Sequence, residues 1–198
     1  MWAALLLTML WLVSCHGQNG FRTKRVTDEE KEYLVRKLLN SSQRLVLLSG
    51  VIRRPHELRT QCWTTKKTRE SVLGYSHRVK YRVRINIGKR KWKRLALDAY
   101  YYVGQRKGSP TVGAYIYENR VLMKNVSGSY IIHYADEKCF VAGTKNEGNA
   151  RCGVWVPGRT LLSNHAACLK AFNSHCVRCG DSVYHVNEAM CLFTTPGR

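Results

Sequence analysis

Cys176-Val177-Arg178-Cys179 is the segment whose residue types and spacing could most directly do chemistry. Two thiols three positions apart can exchange electrons as a redox pair, or hold zinc with His175 and His185 as further ligands. The competing reading makes both cysteines structural half-cystines, and a cysteine-rich exported chain favours it. Tyr100-Tyr101-Tyr102 is a second candidate, either as a stacking set for a ligand or as residues packing alternately inside and outside a strand wall. Beyond these the chain is poor in reactive constellations. It contains no Gly-x-Ser-x-Gly elbow, no His-Glu-x-x-His and no glycine loop of the kind that cradles phosphate. Between Gln43 and Ala135 the acids are Glu57, Glu70, Asp98 and Glu118, too sparse for a carboxylate pair to be built with ease. Binding without catalysis, with neither metal nor organic cofactor, is the expectation.

The elements that would position such residues are mostly strands. Thr27-Asp28-Glu29-Glu30 opens a helix: the threonine caps it and the acids favour its positive end. The helix is expected over residues 28–39. Strand patterns follow at residues 45–52, 60–68 and 75–87. The last of these alternates Tyr75, Val79, Tyr81, Val83, Ile85 and Ile87 with Arg78, Lys80, Arg82 and Arg84. A partner strand carries Leu95, Leu97, Ala99, Tyr101 and Val103 on one side. Shorter strands are expected at 111–117, 120–124, 130–135, 138–142 and 152–156, with a helical segment at 164–172. Many short alternating strands separated by turn residues indicate a barrel or a sandwich.

A magnitude sets which way the basic row points. Residues two apart on a strand lie about 6.6–6.8 Å apart, so neighbouring cations repel by roughly 0.6 kcal/mol in water. Inside a barrel each unpaired cation would cost several kcal/mol in desolvation. Arg78, Lys80, Arg82 and Arg84 therefore face solvent. Lys89, Arg90, Lys91, Lys93 and Arg94 extend the patch, which is either an ordinary solvated face or a docking face for heparin-like polyanions. The formal net charge of +20 supports attraction to sulfated glycans, anionic lipid or acidic proteins. Nucleic acid is not the expected partner, because the chain reads as exported.

Export rests on residues 1–17. The apolar run of residues 2–13 is shorter than the roughly 20 residues a membrane span needs, and Cys15 and Gly17 are small residues suited to a cleavage site. Residues 18–198 then form one domain. Of the eight cysteines, removal of Cys15 leaves seven: a disulfide framework with one odd thiol. A monomer is expected, with a dimer through the odd cysteine as the alternative. Asn40 and Asn125 stand in glycosylation sequons. A two-domain arrangement, with the six cysteines from Cys139 to Cys191 as a separate knot, is the competing organisation.

The segment Ser129-Tyr130-Ile131-Ile132-His133-Tyr134-Ala135-Asp136-Glu137-Lys138-Cys139 resembles the sixth-to-seventh strand region of tick salivary lipocalins. So do Gly153-Val154-Trp155-Val156, Cys168 with Phe172, Tyr184, Cys191 and the early Cys62. The resemblance runs from the first helix to Cys191. It implies an all-β fold with short helices: an eight-stranded antiparallel up-and-down barrel, disulfide-stapled, with an N-terminal and a C-terminal helix packed outside. It implies the pairs Cys62–Cys191 and Cys139–Cys168, which leaves Cys152 to pair with Cys176 or Cys179. It also implies a secreted protein that captures host mediators such as histamine, serotonin, eicosanoids or other lipids to blunt host defence.

The sequence departs from that family at two positions. Amine-binding relatives carry acids where this chain has Phe140 and Gly153. A desolvated ammonium needs a counter-charge or an aromatic cage. The expected ligand is therefore an apolar or anionic lipid mediator, with a biogenic amine as the alternative and a host-protein or polyanion inhibitor acting through the basic face as a third. Tyr81, Val83, Leu95, Leu97, Tyr101, Tyr115, Tyr117, Phe140 and Trp155 are expected to line the barrel, with Trp155 closing one end.

Overall fold

The structure is a computed structural model that describes residues 26–52, 60–86, 91–144, 151–178, 181–187 and 191. Residues 1–17, Lys89, Arg90, the side chain of Lys91 and Cys179 lie outside the described residues.

Helix α1 spans Asp28–Asn40. Thr27 Oγ1 accepts from the Glu30 amide at 3.2 Å, and the first turn holds Asp28, Glu29 and Glu30. Its buried face is Val35, Leu38 and Leu39. Ten strands follow among the described residues: β1 (Leu45–Ile52), β2 (Thr60–Ser71), β3 (Gly74–Asn86), β4 (Lys91–Arg106), β5 (Ser109–Glu118), β6 (Val121–Leu122), β7 (Gly128–Asp136), β8 (Cys139–Gly143), β9 (Cys152–Pro157) and β10 (Ser182–His185). Helix α2 (Ala166–His175) lies between β9 and β10.

Each strand pairs antiparallel with the next along β1-β2-β3-β4-β5-β7-β8-β9, and β9 pairs back with β1 through Val46↔Val156 and Gly50↔Gly153. That last ladder closes the expected eight-stranded barrel, so that β1 and β9 are no longer sheet edges to each other. The strand expected at 120–124 is only Val121–Leu122, a short annex on β5. Asn119 and Arg120 take positive φ in the turn before it, which ends the extended run.

One mouth of the barrel is closed. α1 packs over it against β2, β4, β5 and β7, and its Val35, Leu38 and Leu39 join the interior cluster that holds Val79, Leu97, Tyr101 and Ile132. Arg36 donates to the Val103 carbonyl and fixes the helix on β4.

The wall around β8 and β9 is buried on both faces. Phe140, Ala142 and Gly153 face inward, while Val141, Val154 and Val156 pack outward against Cys168 and Phe172 of α2. This is why Cys139-Phe140-Val141-Ala142-Gly143 carries no polar alternation: each side chain meets a core. Among the described residues three disulfides staple the framework: Cys62–Cys191, Cys139–Cys168 and Cys152–Cys176. The second ties α2 to β8. The first joins Cys62 on β2 to Cys191, 129 residues further along the chain. Cys176 is thus a half-cystine and not half of a redox pair with Cys179.

β10 fills a gap in the wall. β2 leaves β1 after Leu45↔Thr65 and Val46↔Thr64, with a bulge and a positive φ at Cys62. β10 takes its place along the outer half of β1, through Ser49↔His185 to Ile52↔Ser182. The Cys62 amide donates to Tyr184 Oη at 3.0 Å, and Ser49 Oγ meets His185 Nδ1 at 2.9 Å.

Candidate ligand-binding site

An internal cavity of about 240 Å³ runs from the covered end of the barrel toward its other mouth. Leu39, Thr65 and Tyr101 form its deep end. Trp63, Val112, Ala114, Ile116, Phe140, Ala142 and Trp155 form the walls. Thr60, Tyr130, Arg151 and Tyr184 supply polar groups near the mouth.

Each wall residue follows from strand register. β4 and β5 pair as Ala99↔Ile116, Tyr101↔Ala114 and Val103↔Val112, so these residues share the inner face. The same register places Tyr115 opposite Tyr100, and both Tyr115 and Tyr117 on the outer face. The expectation that Tyr115 and Tyr117 line the barrel is thereby corrected: the small alternate residues face in and the tyrosines face out. Tyr115 stacks on Tyr102 outside, with ring centroids 6.4 Å apart. Gly113 allows this, since a Cβ there would sit 2.3 Å from Tyr102 Cε1. The three consecutive tyrosines therefore alternate, Tyr101 in and its neighbours out.

Tyr101, Phe140 and Trp155 border the cavity. Tyr81, Val83, Leu95 and Leu97 belong to the same interior cluster but fill the β3–β4 side, away from the open space. Trp63 stacks on Tyr81 at 4.2 Å with an interplanar angle of 4° and presses that side shut. Trp63, Tyr130, Arg151 and Tyr184 went unmarked as lining residues in the sequence. The bulge in β2 turns Trp63 inward, and Arg151 sits where a strand begins, outside any alternation.

The deep end is polar but satisfied. His77, 2% exposed, meets Thr65 Oγ1 through Nδ1 at 3.0 Å and the Leu39 carbonyl through Nε2 at 3.0 Å. A carbonyl only accepts, so Nε2 carries the hydrogen and Nδ1 accepts from the threonine. Burial holds the imidazole low, at about 4, against the opposing pull of the Leu39 carbonyl, and Lys67 depresses it further. Tyr101 is pushed up to about 12 by burial, against a smaller opposing pull from Thr65. These groups are neutral and mutually occupied, so they offer a ligand no charge.

The mouth differs. Arg151 is the one charged side chain in the lining among the described residues, and no carboxylate is present there. Its backbone is clasped to Thr144: the Arg151 amide donates to Thr144 Oγ1 at 2.9 Å, and the Thr144 amide to the Arg151 carbonyl at 2.8 Å. Its guanidinium lies beside Tyr130, whose hydroxyl donates to the Val126 carbonyl at 2.9 Å. Burial raises the Tyr130 hydroxyl, and the guanidinium partly offsets that rise. The arrangement places one guanidinium at the cavity in a largely apolar surround.

Phe140 and Gly153 both border the cavity. A Cβ on Gly153 would lie 2.6 Å from Leu47 Cδ1 and 3.2 Å from the Ser49 carbonyl oxygen. Leu47 thus occupies the space that an acidic side chain at 153 would need. The basic row divides as well. Arg78, Lys80, Lys93 and Arg94 are exposed, whereas Arg82 and Arg84 are half-buried. Of the two sequons, Asn125 is exposed in a turn, while Asn40 Oδ1 accepts from Lys67 Nζ at 2.5 Å.

No helix among the described residues is long and apolar enough to cross a membrane. No curated protein sequence matches the chain. Solved structures that resemble it include Japanin from Rhipicephalus appendiculatus bound to cholesterol, with a TM-score of 0.57 and 15% identity, covering 75% of this chain and 95% of that one. That likeness is one of fold. Residues 28–192 match the family described as tick histamine binding protein, and a match of that extent places the chain in that family.

Proposed function

We propose that this protein is secreted and sequesters an apolar host mediator with an anionic or hydrogen-bond-accepting end, without catalysis, so as to blunt host defence. The observation that carries this reading is the lining of the cavity: apolar walls, one guanidinium at Arg151 and no carboxylate among the described residues. A fatty acid or eicosanoid would bury its chain against Trp155, Ile116 and Phe140 and turn its carboxylate to Arg151. Each buried methylene contributes about 0.8 kcal/mol, so six to eight of them approach the roughly 8 kcal/mol of micromolar binding once a charge-assisted hydrogen bond is added. Histamine has little apolar surface, and its ammonium would face a desolvation cost of several kcal/mol with no partner acid. The sterol bound by Japanin is likewise an apolar body with one polar end. The family's name keeps a biogenic amine as the alternative ligand. Export would expose the sequon at Asn125 to glycosylation.

Titration calorimetry decides between the ligands. Arachidonate is expected to bind at micromolar affinity or better, and histamine and serotonin at least tenfold more weakly. Arg151→Gln should weaken arachidonate about tenfold, the loss of one charge-assisted contact, and leave a neutral sterol unaffected. Tight histamine binding with no lipid binding would overturn the reading.

A further inference from the structure

The outer wall of β2 and β3 carries a second concavity of about 730 Å³, separate from the barrel cavity. Six cations border it: Arg44 before β1, Lys66 and Lys67 on β2, Arg78 and Lys80 on β3, and Arg159 in the short 3-10 turn after β9. Among the described residues no carboxylate borders it. Lys67 is engaged by Asn40 and by Glu70 at 3.3 Å, and Arg78 contacts Asp98, a side chain 71% exposed. Arg44, Lys66, Lys80 and Arg159 are exposed and make no ion pair among the described residues.

Three remote stretches of chain are held together to make this groove. The Gly158 amide donates to the Arg44 carbonyl at 2.7 Å, which brings Arg159 beside Arg44. Cross-strand register sets Lys66 opposite Arg78 and Thr64 opposite Lys80, and Thr64 Oγ1 donates to the Lys80 carbonyl at 3.3 Å. Like charges directly opposite on a sheet oppose folding. This cluster is therefore built against local stability, and an anion would relieve it. It also regroups the basic row seen in the sequence: Arg78 and Lys80 belong with Arg44, Lys66 and Arg159, while Arg82, Arg84, Lys93 and Arg94 do not border the groove.

We propose that this groove binds a sulfated glycan chain, with Arg44, Lys66, Lys80 and Arg159 as the sulfate-binding residues. A linear polyanion fits a concave track with cations from several elements, whereas a bilayer meets a convex face and draws on exposed apolar side chains, which this groove lacks. The site is independent of the barrel cavity, so one molecule can hold a glycan and a small ligand together.

The test is binding to immobilised heparin at physiological salt, comparing K66Q/K80Q/R159Q with K107Q/K124Q/K138Q, which removes equal charge elsewhere. The groove variant should lose about tenfold or more, as expected for three lost charge-assisted contacts, and the control less than about threefold. In the unmodified protein, a heparin oligosaccharide should protect Lys66 and Lys80 from acetylation while leaving Lys107 and Lys124 reactive; this readout needs no variant to fold. Equal loss in both variants, no loss in the groove variant, or absent protection would overturn the site. So would a groove variant that keeps heparin affinity but loses binding to phosphatidylserine vesicles.

Discussion

The β8–β9 wall and the β2–β3 wall of the barrel share an interior but differ outside. β8 and β9 are apolar on both faces, covered by α2, and tied to it by Cys139–Cys168 and Cys152–Cys176. β2 and β3 are apolar inward, through Trp63, Val79 and Tyr81, and cationic outward, through Lys66, Arg78 and Lys80. The inner faces must match because they enclose one cavity. The outer faces are free to specialise, and one wall became scaffold while the other became a charged surface. Substitutions on the two outer faces should therefore have opposite kinds of consequence.

The largest effect is expected at Phe172, fully buried between α2 and the outer face of β8–β9. Phe172→Ala should cost about 3–5 kcal/mol in urea denaturation. Removing the Cys139–Cys168 bond, whose residues are 29 apart in sequence, should cost about 3–4 kcal/mol in the chain-entropy view. If either change proves nearly neutral, the β8–β9 wall is not the scaffold described.

Acid should act next. His77 and His133 are both held at about 4 in the folded protein, against an ordinary value near 6.5. Burial is the main cause for each; at His133 the charges of His175 and Lys31 add to it. Their folded values lie below their unfolded ones, so the unfolded chain takes up protons first as pH falls. Stability is then full above about pH 7 and is lost progressively between 6.5 and 4. His77, almost wholly buried, accounts for up to about 3 kcal/mol of this, and half-buried His133 for less. Urea midpoints at pH 7.5 and 5.0 should differ accordingly, and His77→Asn should shrink the difference. A midpoint that does not move with pH would contradict the assignment of a neutral buried imidazole.

Gly153→Asp tests the cavity at the seam with β1. Its Cβ must displace Leu47, an overpacking cost of about 1–3 kcal/mol. Adding Leu47→Ala should restore the space and give the cavity an acid, so the double variant should gain histamine affinity that neither the parent nor Leu47→Ala shows. The smallest effect belongs to the other wall: Lys66→Gln or Lys80→Gln should change stability by less than about 0.5 kcal/mol.

Much of this architecture was legible in the sequence, and the limits of that reading are physical. The alternation in β3 is unambiguous because apolar and cationic residues take opposite faces. The cap at Thr27 is local chemistry and reads as such. The family's cysteine positions implied two of the three bonds found, and left Cys152 open between two partners. β5 misled because both of its faces are apolar: Val112, Ala114 and Ile116 on one, Tyr115 and Tyr117 on the other. Only the long-range register with β4 decides between them, and a bulky aromatic set looks more like a lining than a small one. Arg151 had no local signal at all, because its place at the mouth is set by its backbone pairing with Thr144. The groove was half visible: Arg78 and Lys80 stood in a row, but Arg44 and Arg159 join them only through tertiary pairing.

The most direct measurement is native mass spectrometry of the recombinant protein exposed to an equimolar mixture of arachidonate, a prostaglandin, cholesterol, histamine and serotonin, repeated with Arg151→Gln. A cavity with one guanidinium and no acid should retain a carboxylate-bearing lipid, and the variant should lose it preferentially while keeping any neutral sterol. Retention of histamine or serotonin in place of every lipid would contradict the account.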